Sequence, residues 1–238
     1  MTLRGGSAGA RTSRGLPSEA ERWLAVDLGS RPVQVVVAGV TGGVGTTTLT
    51  ALVARSLATY RAPTRQRPSV AVLDHDGGTV HERSGAPAIG APAVRASEGG
   101  VSFRPASQDP AAGPAGSGAV DADVLLRCLG AQALNPEPTL LADPTVVAVV
   151  VAPWHADGLA LAATAIARLG EARTVVVPVD VTRAGAAGRS LGLPWDRALT
   201  APGEITERAL SSSTRRAVLA VTAEVLAAAR RVAVLTAG

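Results

Sequence analysis

Residues 33–49 read Val33-Gln34-Val35-Val36-Val37-Ala38-Gly39-Val40-Thr41-Gly42-Gly43-Val44-Gly45-Thr46-Thr47-Thr48-Leu49. The stretch opens on an apolar run, Val33 to Ala38, broken only by Gln34, which reads as a buried strand. Glycines follow. Leu49, Leu52, Val53, Ser56 and Leu57 then recur at helical spacing and predict a helix from Thr46 to Tyr60. Between a strand and a helix, glycines let backbone N–H groups turn inward and converge on an anion, and the helix N-terminus adds a partial positive charge. A hydroxyl at Thr47 then stands where it can hold a magnesium ion on bound phosphates. The candidate binding positions are Gly42, Gly43, Val44, Gly45, Thr46, Thr47 and Thr48. The plainer alternative for the same residues is a tight glycine turn with a threonine N-cap and no ligand.

Working outward, a second strand at Ser69–Leu73 ends in Asp74-His75-Asp76-Gly77-Gly78. Strand, glycine loop, helix and strand make a βαβ unit. Gly85 to Ala119 is rich in Gly, Pro, Ala and Ser and reads mostly as loop, with a short strand at Val101–Arg104. Val124-Leu125-Leu126 is a further short strand, and Thr145 to Ala152 is nearly all valine, as a strand buried on both faces should be. A helix is expected from Gly158 to Leu169, a strand from Thr174 to Val179, and a helical tail from Glu204 to Ala229. That tail offers Ile205, Leu210, Val218, Leu219 and Val225 as core positions. Upstream, residues 1–16 read as a flexible basic arm and Pro17–Leu24 as a short helix, so the organisation is an arm over 1–28 and one domain over 29–238. Alternation of strands and helices predicts an α/β domain of three layers with a mainly parallel central sheet.

Composition narrows the chemistry. The chain has 238 residues, with 23 basic and 19 acidic side chains and a formal net charge of +4. Every basic residue is arginine; there is no lysine. Lysine Schiff bases, lysine general bases and a lysine on a phosphate are therefore excluded. Hydrophobic residues make up 47% and aromatics 2%, so the core must be Ala, Val and Leu. Cys128 is alone, which excludes an intramolecular disulfide and a four-cysteine metal site. The longest apolar run, Val146–Pro153, is far short of the roughly 20 residues of a membrane span. No apolar run follows Arg4, Arg11 and Arg14, so a secretory signal is not read and the expectation is a cytoplasmic protein.

The chain resembles the MinD/ParA-like P-loop ATPases, whose loop reads Lys-Gly-Gly-x-Gly-Lys-Thr-Thr. Here Thr41-Gly42-Gly43-Val44-Gly45-Thr46-Thr47-Thr48 keeps the glycines and hydroxyls, and both lysines are threonine. The likeness continues at Val70–Asp76, where the family has an apolar strand ending in Asp-x-Asp. It continues more loosely at Val146–Pro153 with the Asp157-Gly158 helix, and at Leu193-Pro194-Trp195-Asp196, similar to the family's late loop near the base. The resemblance spans roughly residues 33 to 230 and implies a P-loop NTPase-like fold with ATP and Mg2+ as cofactors. It implies a water-positioning role for Asp76, a magnesium-shell role for Asp74 and a magnesium ligand in Thr47. The departures are equally specific. Thr41 and Thr46 stand where the family has its dimer-bridging lysine and its β,γ-phosphate lysine. Val124–Cys128, the counterpart of the family's magnesium-side strand, has no acid at its end. Pro178-Val179-Asp180 lacks the base-reading asparagine.

Each charge-assisted hydrogen bond so lost is worth roughly 1.5–3 kcal/mol, or about ten- to a hundred-fold in affinity. Hydrolysis is more exposed than binding, because phosphoryl transfer relies on cations placed where charge develops. The leading expectation is a degenerate family member with weak or no hydrolysis. It acts through a protein partner in positioning, partitioning or secretion-related processes, and a homodimer is implied by kinship. The alternatives are an active ATP hydrolase using Asp76 and an unrecognised arginine, and a nonspecific DNA-binding module using the arginine arm. Arg55 falls about two turns along the loop's helix and is expected to point away from phosphate. Arg215-Arg216 and Arg230-Arg231 bracket the last helix and read as solvated arginines on a packed helix. DNA or a membrane surface is the functional alternative there. Asp74 and Asp76 also fit simple capping of the next turn, His155 a loop residue, and Cys128 an inert buried thiol.

Overall fold

The valine-rich runs pair edge to edge. In the computed structural model, which describes residues 32–59, 68–75, 77, 79–84, 101–105, 122–136, 138, 142–183 and 191–236, six strands form one sheet. They are β1 (Val33–Gly39), β2 (Val70–Asp74), β3 (Val101–Pro105), β4 (Val124–Cys128), β5 (Val147–Pro153) and β6 (Thr174–Val179). Their order is β3-β2-β4-β1-β5-β6 and every pairing between them is parallel. The expected arm and short helix over residues 1–28 and most of the expected loop from Gly85 to Ala119 lie outside the described residues.

Continuous apolar strands need cover on both sides, and five helices are described: α1 (Thr46–Thr59), α2 (Val80–Ser84), α3 (Ala156–Leu169), α4 (Arg197–Thr200) and α5 (Ser212–Thr236). On one face Val35, Val37, Leu126 and Val149 pack with Leu49, Leu52, Val53 and Leu57 of α1 and with Val221, Val225 and Val232 of α5. On the other, Val36, Ala38, Ala148 and Val150 pack with Ala162, Ala165 and Leu169 of α3. The result is an α/β architecture with helices on both faces of a parallel sheet, and its core is Val, Ala and Leu as the composition requires.

The expected tail helix needs correction. Helix α5 starts at Ser212, not Glu204, and residues 204–211 form an irregular segment with a short 3-10 turn at Glu207–Ala209. The reason is tertiary. Ile205 N donates to Arg83 O and its own carbonyl accepts from Arg55 Nη1, so its backbone groups serve other elements rather than a helix. Ile205 and Leu210 are nevertheless buried, as are Val218 and Val225, whereas Leu219 is only half-buried.

Candidate functional site

All six strands end on the same edge of the sheet, and the glycine loop leaves that edge from β1. Gly39, the last residue of β1, sits under the loop. A Cβ there would lie 2.5 Å from Thr46 Oγ1 and 2.7 Å from Val44 Cγ1, so the close approach of loop to strand requires glycine. Gly43 and Gly45 have φ of 73° and 92°, conformations that reverse the chain and that side-chain-bearing residues resist. The tops of the loop, Gly42 and Gly43, are exposed, and a Cβ on Gly42, Gly43 or Gly45 would meet nothing within 4 Å. Bare backbone therefore faces open space.

The loop's other residues anchor it. Val44 is buried in the α1-side core and Thr46 is 6% exposed. Gly45 O accepts from Leu49 N at 2.8 Å, which starts α1, and Thr46 O accepts from Thr50 Oγ1 at 2.9 Å. Thr47 and Thr48 are half-buried in the first turn, and Thr48 Oγ1 accepts from Arg83 Nη2 at 3.4 Å.

The neighbouring strand β4 closes the other side. Leu129 N donates to Val37 O, Gly39 N to Gly130 O and Ala133 N to Gly39 O, so residues 129–133 are stitched to the end of β1. Leu129 and Ala133 belong to the core on the α3 side, whereas β1 continues into α1 on the opposite side. Adjacent parallel strands whose continuations leave on opposite faces define a crevice outside the carboxyl ends. Open α/β sheets bind ligands in such crevices.

Of the two candidate aspartates, Asp74 ends β2 and is 8% exposed. Its Oδ2 accepts from Val80 N at 3.1 Å, the capping role at the start of α2. Asp76 lies outside the described residues. Among the described residues there is no group of three or more His, Cys, Asp or Glu placed to hold a metal.

Several residues do work that the sequence signalled weakly. His155 caps α3 through Nδ1, which accepts from Gly158 N at 3.1 Å. Arg83, on α2, donates to the carbonyls of Leu199, Ala201 and Gly203 as well as to Thr48, and burial pulls its guanidinium below its ordinary pKa. Arg183, with φ of 61°, stacks 4.1 Å over the Trp195 ring in the late loop. Asp196 of that loop caps α4 through Ala198 N and also takes Ser211 N and Thr214 Oγ1 at the start of α5. Arg127 of β4 is 8% exposed, a guanidinium within the sheet. Its signal in the sequence was a lone charge in the apolar run Val124–Cys128.

Arg55 bonds Ile205 O, and Cys128 is buried and in no disulfide. Arg215, Arg216, Arg230 and Arg231 are exposed on a packed α5, with Arg231 paired to Glu224 at 3.0 Å. No described helix is long and apolar enough to cross a membrane. Comparison of the chain with family models, with curated proteins and with solved structures gives no match.

Proposed function

We propose that the chain is a nucleotide-binding protein of the kind the MinD/ParA-like P-loop ATPases represent, with weak or absent hydrolysis, acting through a protein partner in positioning, partitioning or secretion-related processes. The observation that carries this reading is the glycine loop. Its backbone, reversed at Gly43 and Gly45, opens onto free space at the crevice between β1 and β4. Backbone donors at a helix N-terminus suit a phosphate group. Magnesium would find the Thr47 hydroxyl, with Asp74 already engaged at Val80 N. When bound, ATP with magnesium would supply the phosphoryl chemistry. This chain's residues bind and orient it, and Asp76 is the residue we assign to positioning water.

The lysines replaced by Thr41 and Thr46 weaken binding by about ten- to a hundred-fold each and remove the charge that turnover needs. Isothermal titration with magnesium-ATP, run beside a phosphate-release assay, tests the reading. We expect saturable weak binding with release at background. Robust turnover, or binding that survives Gly43→Val unchanged, contradicts it.

A further inference from the structure

The irregular segment ahead of α5 closes a cavity of about 100 Å3 against α1 and the first turns of α5. Leu52 of α1, Ile205 and Leu210 of the segment and Val218 of α5 line it, and all four are buried. Three charged side chains line it too: Arg55 of α1, Glu207 of the segment and Arg215 of α5. Glu207 and Arg215 are exposed and Arg55 is half-buried, so the charges stand at the mouth and the apolar side chains at the floor. The segment is pinned at both ends. Ile205 N donates to Arg83 O and Arg55 Nη1 to Ile205 O, while Ser211 N donates to Asp196 Oδ2 at 2.8 Å. A wall held this way keeps its shape without a ligand, which lowers the cost of binding one.

The lining says what would fit. An apolar cavity of about 150 Å3 takes up benzene, so one of about 100 Å3 has room for a tail of about four carbons. The mouth carries two guanidiniums and one carboxylate, an excess of positive charge. Among the described residues Glu207 and Arg215 form no ion pair. A guanidinium takes a carboxylate with two parallel hydrogen bonds, and small-molecule sites are mostly apolar clefts with a few convergent polar groups. We propose that this cavity binds a small apolar carboxylate, its tail inward between α1 and α5 and its carboxylate at Arg215 and Arg55. Free branched acids and apolar amino acids share this chemistry. They differ at Glu207, which would meet the α-ammonium of an amino acid only. Arg55 stands about 13.5 Å along α1 from Thr46, so the site is separate from the glycine loop and does not rest on nucleotide binding there.

The test titrates the full chain with isocaproate, with leucine, which is isocaproate bearing an α-ammonium, and with the amide of each. Binding is followed by calorimetry and by intermolecular NOEs from the probes' methyl groups to Leu52, Ile205 and Val218. We expect saturable binding of at least one carboxylate with NOEs to those three residues, and its amide weaker by about ten-fold or more. Arg215 is exposed, so Arg215→Gln should keep the fold, checked by its amide spectrum, and lose about ten-fold or more in affinity for the carboxylate. Leucine as the tighter probe, weakened by Glu207→Gln, assigns the site to amino acids. Isocaproate as the tighter probe, indifferent to Glu207→Gln, assigns it to free acids. Either result supports the proposal. Neither carboxylate bound at millimolar concentration, or NOEs to another region, overturns it. Amides that bind as tightly as the acids overturn the carboxylate class and leave a seat for an apolar side chain of a partner. A folded Arg215→Gln with wild-type affinity for both acids overturns the role of that arginine and with it the proposal.

Discussion

Asp196 shows how much one carboxylate organises. Oδ1 accepts from Ala198 N at 3.0 Å, and Oδ2 accepts from Ser211 N at 2.8 Å and Thr214 Oγ1 at 2.7 Å. Burial alone would raise its pKa. The hydrogen bonds from Thr214, Ser211 and Ala198 outweigh that and hold it below the usual carboxylate range. An asparagine must turn its NH2 toward one of these backbone N–H groups, so Asp196→Asn should lower the unfolding free energy by about 2–3 kcal/mol. Because the folded-state pKa is depressed, this stabilisation is complete above the unfolded value near ~3.9 and is lost as pH falls through the folded one. Urea unfolding of wild type and Asp196→Asn from about pH 6 down to about pH 2 should show the two converging on the acid side. Parallel curves contradict the assignment. Asp196 was legible as part of a Pro-aromatic-Asp loop, but its grip on α5 was not, because Ser211 and Thr214 lie far along the chain.

At the scale of elements, the glycine loop depends on how tightly it lies over the end of β1. Gly39→Ala puts a methyl 2.5 Å from Thr46 Oγ1 and 3.0 Å from Thr41 O, and backbone cannot give way cheaply. We expect a loss of about 1–3 kcal/mol in stability, read by chemical denaturation, together with weaker nucleotide binding; an unchanged midpoint contradicts the packing described. By contrast Gly43→Ala meets no atom, and its cost is the strain of φ 73°, about 1–2 kcal/mol. A smaller loss of stability than at Gly39 with an equal loss of binding would separate the loop's fold from its use.

The strands were legible because unbroken valine-rich runs read as strands buried on both faces, and helices α1 and α3 because their apolar runs are long and bounded by strands. Helix α5 was legible except at its ends: expected over Glu204–Ala229, it runs over Ser212–Thr236. The run Ser211-Ser212-Ser213-Thr214 is rich in capping residues and marks that start, with Ser211 Oγ accepting from Thr214 N at 3.2 Å. Ile205 and Leu210 share the tail's apolar spacing yet serve the core from an irregular segment, because Ile205 gives its carbonyl to Arg55 and its N–H to the carbonyl of Arg83. Contacts of that length leave no local pattern.

For the whole molecule, six parallel strands deliver every carboxyl end to one edge, and the opposite exits of β1 and β4 open the crevice there. The absence of lysine acquires a location on this frame. The loop side of the crevice offers backbone donors and hydroxyls and no lysine. Backbone can bind phosphate without being able to stabilise the charge that builds during its transfer. Nucleotide affinity and turnover should therefore separate in this protein, with binding kept and catalysis lost. The most direct check is a titration of uniformly 15N-labelled protein with magnesium-ATP, following the backbone amides of Gly42 to Thr48. We expect saturable shifts centred on those amides, with the nucleotide intact in the phosphorus spectrum after hours. Loop amides that do not move at millimolar ATP would contradict the account.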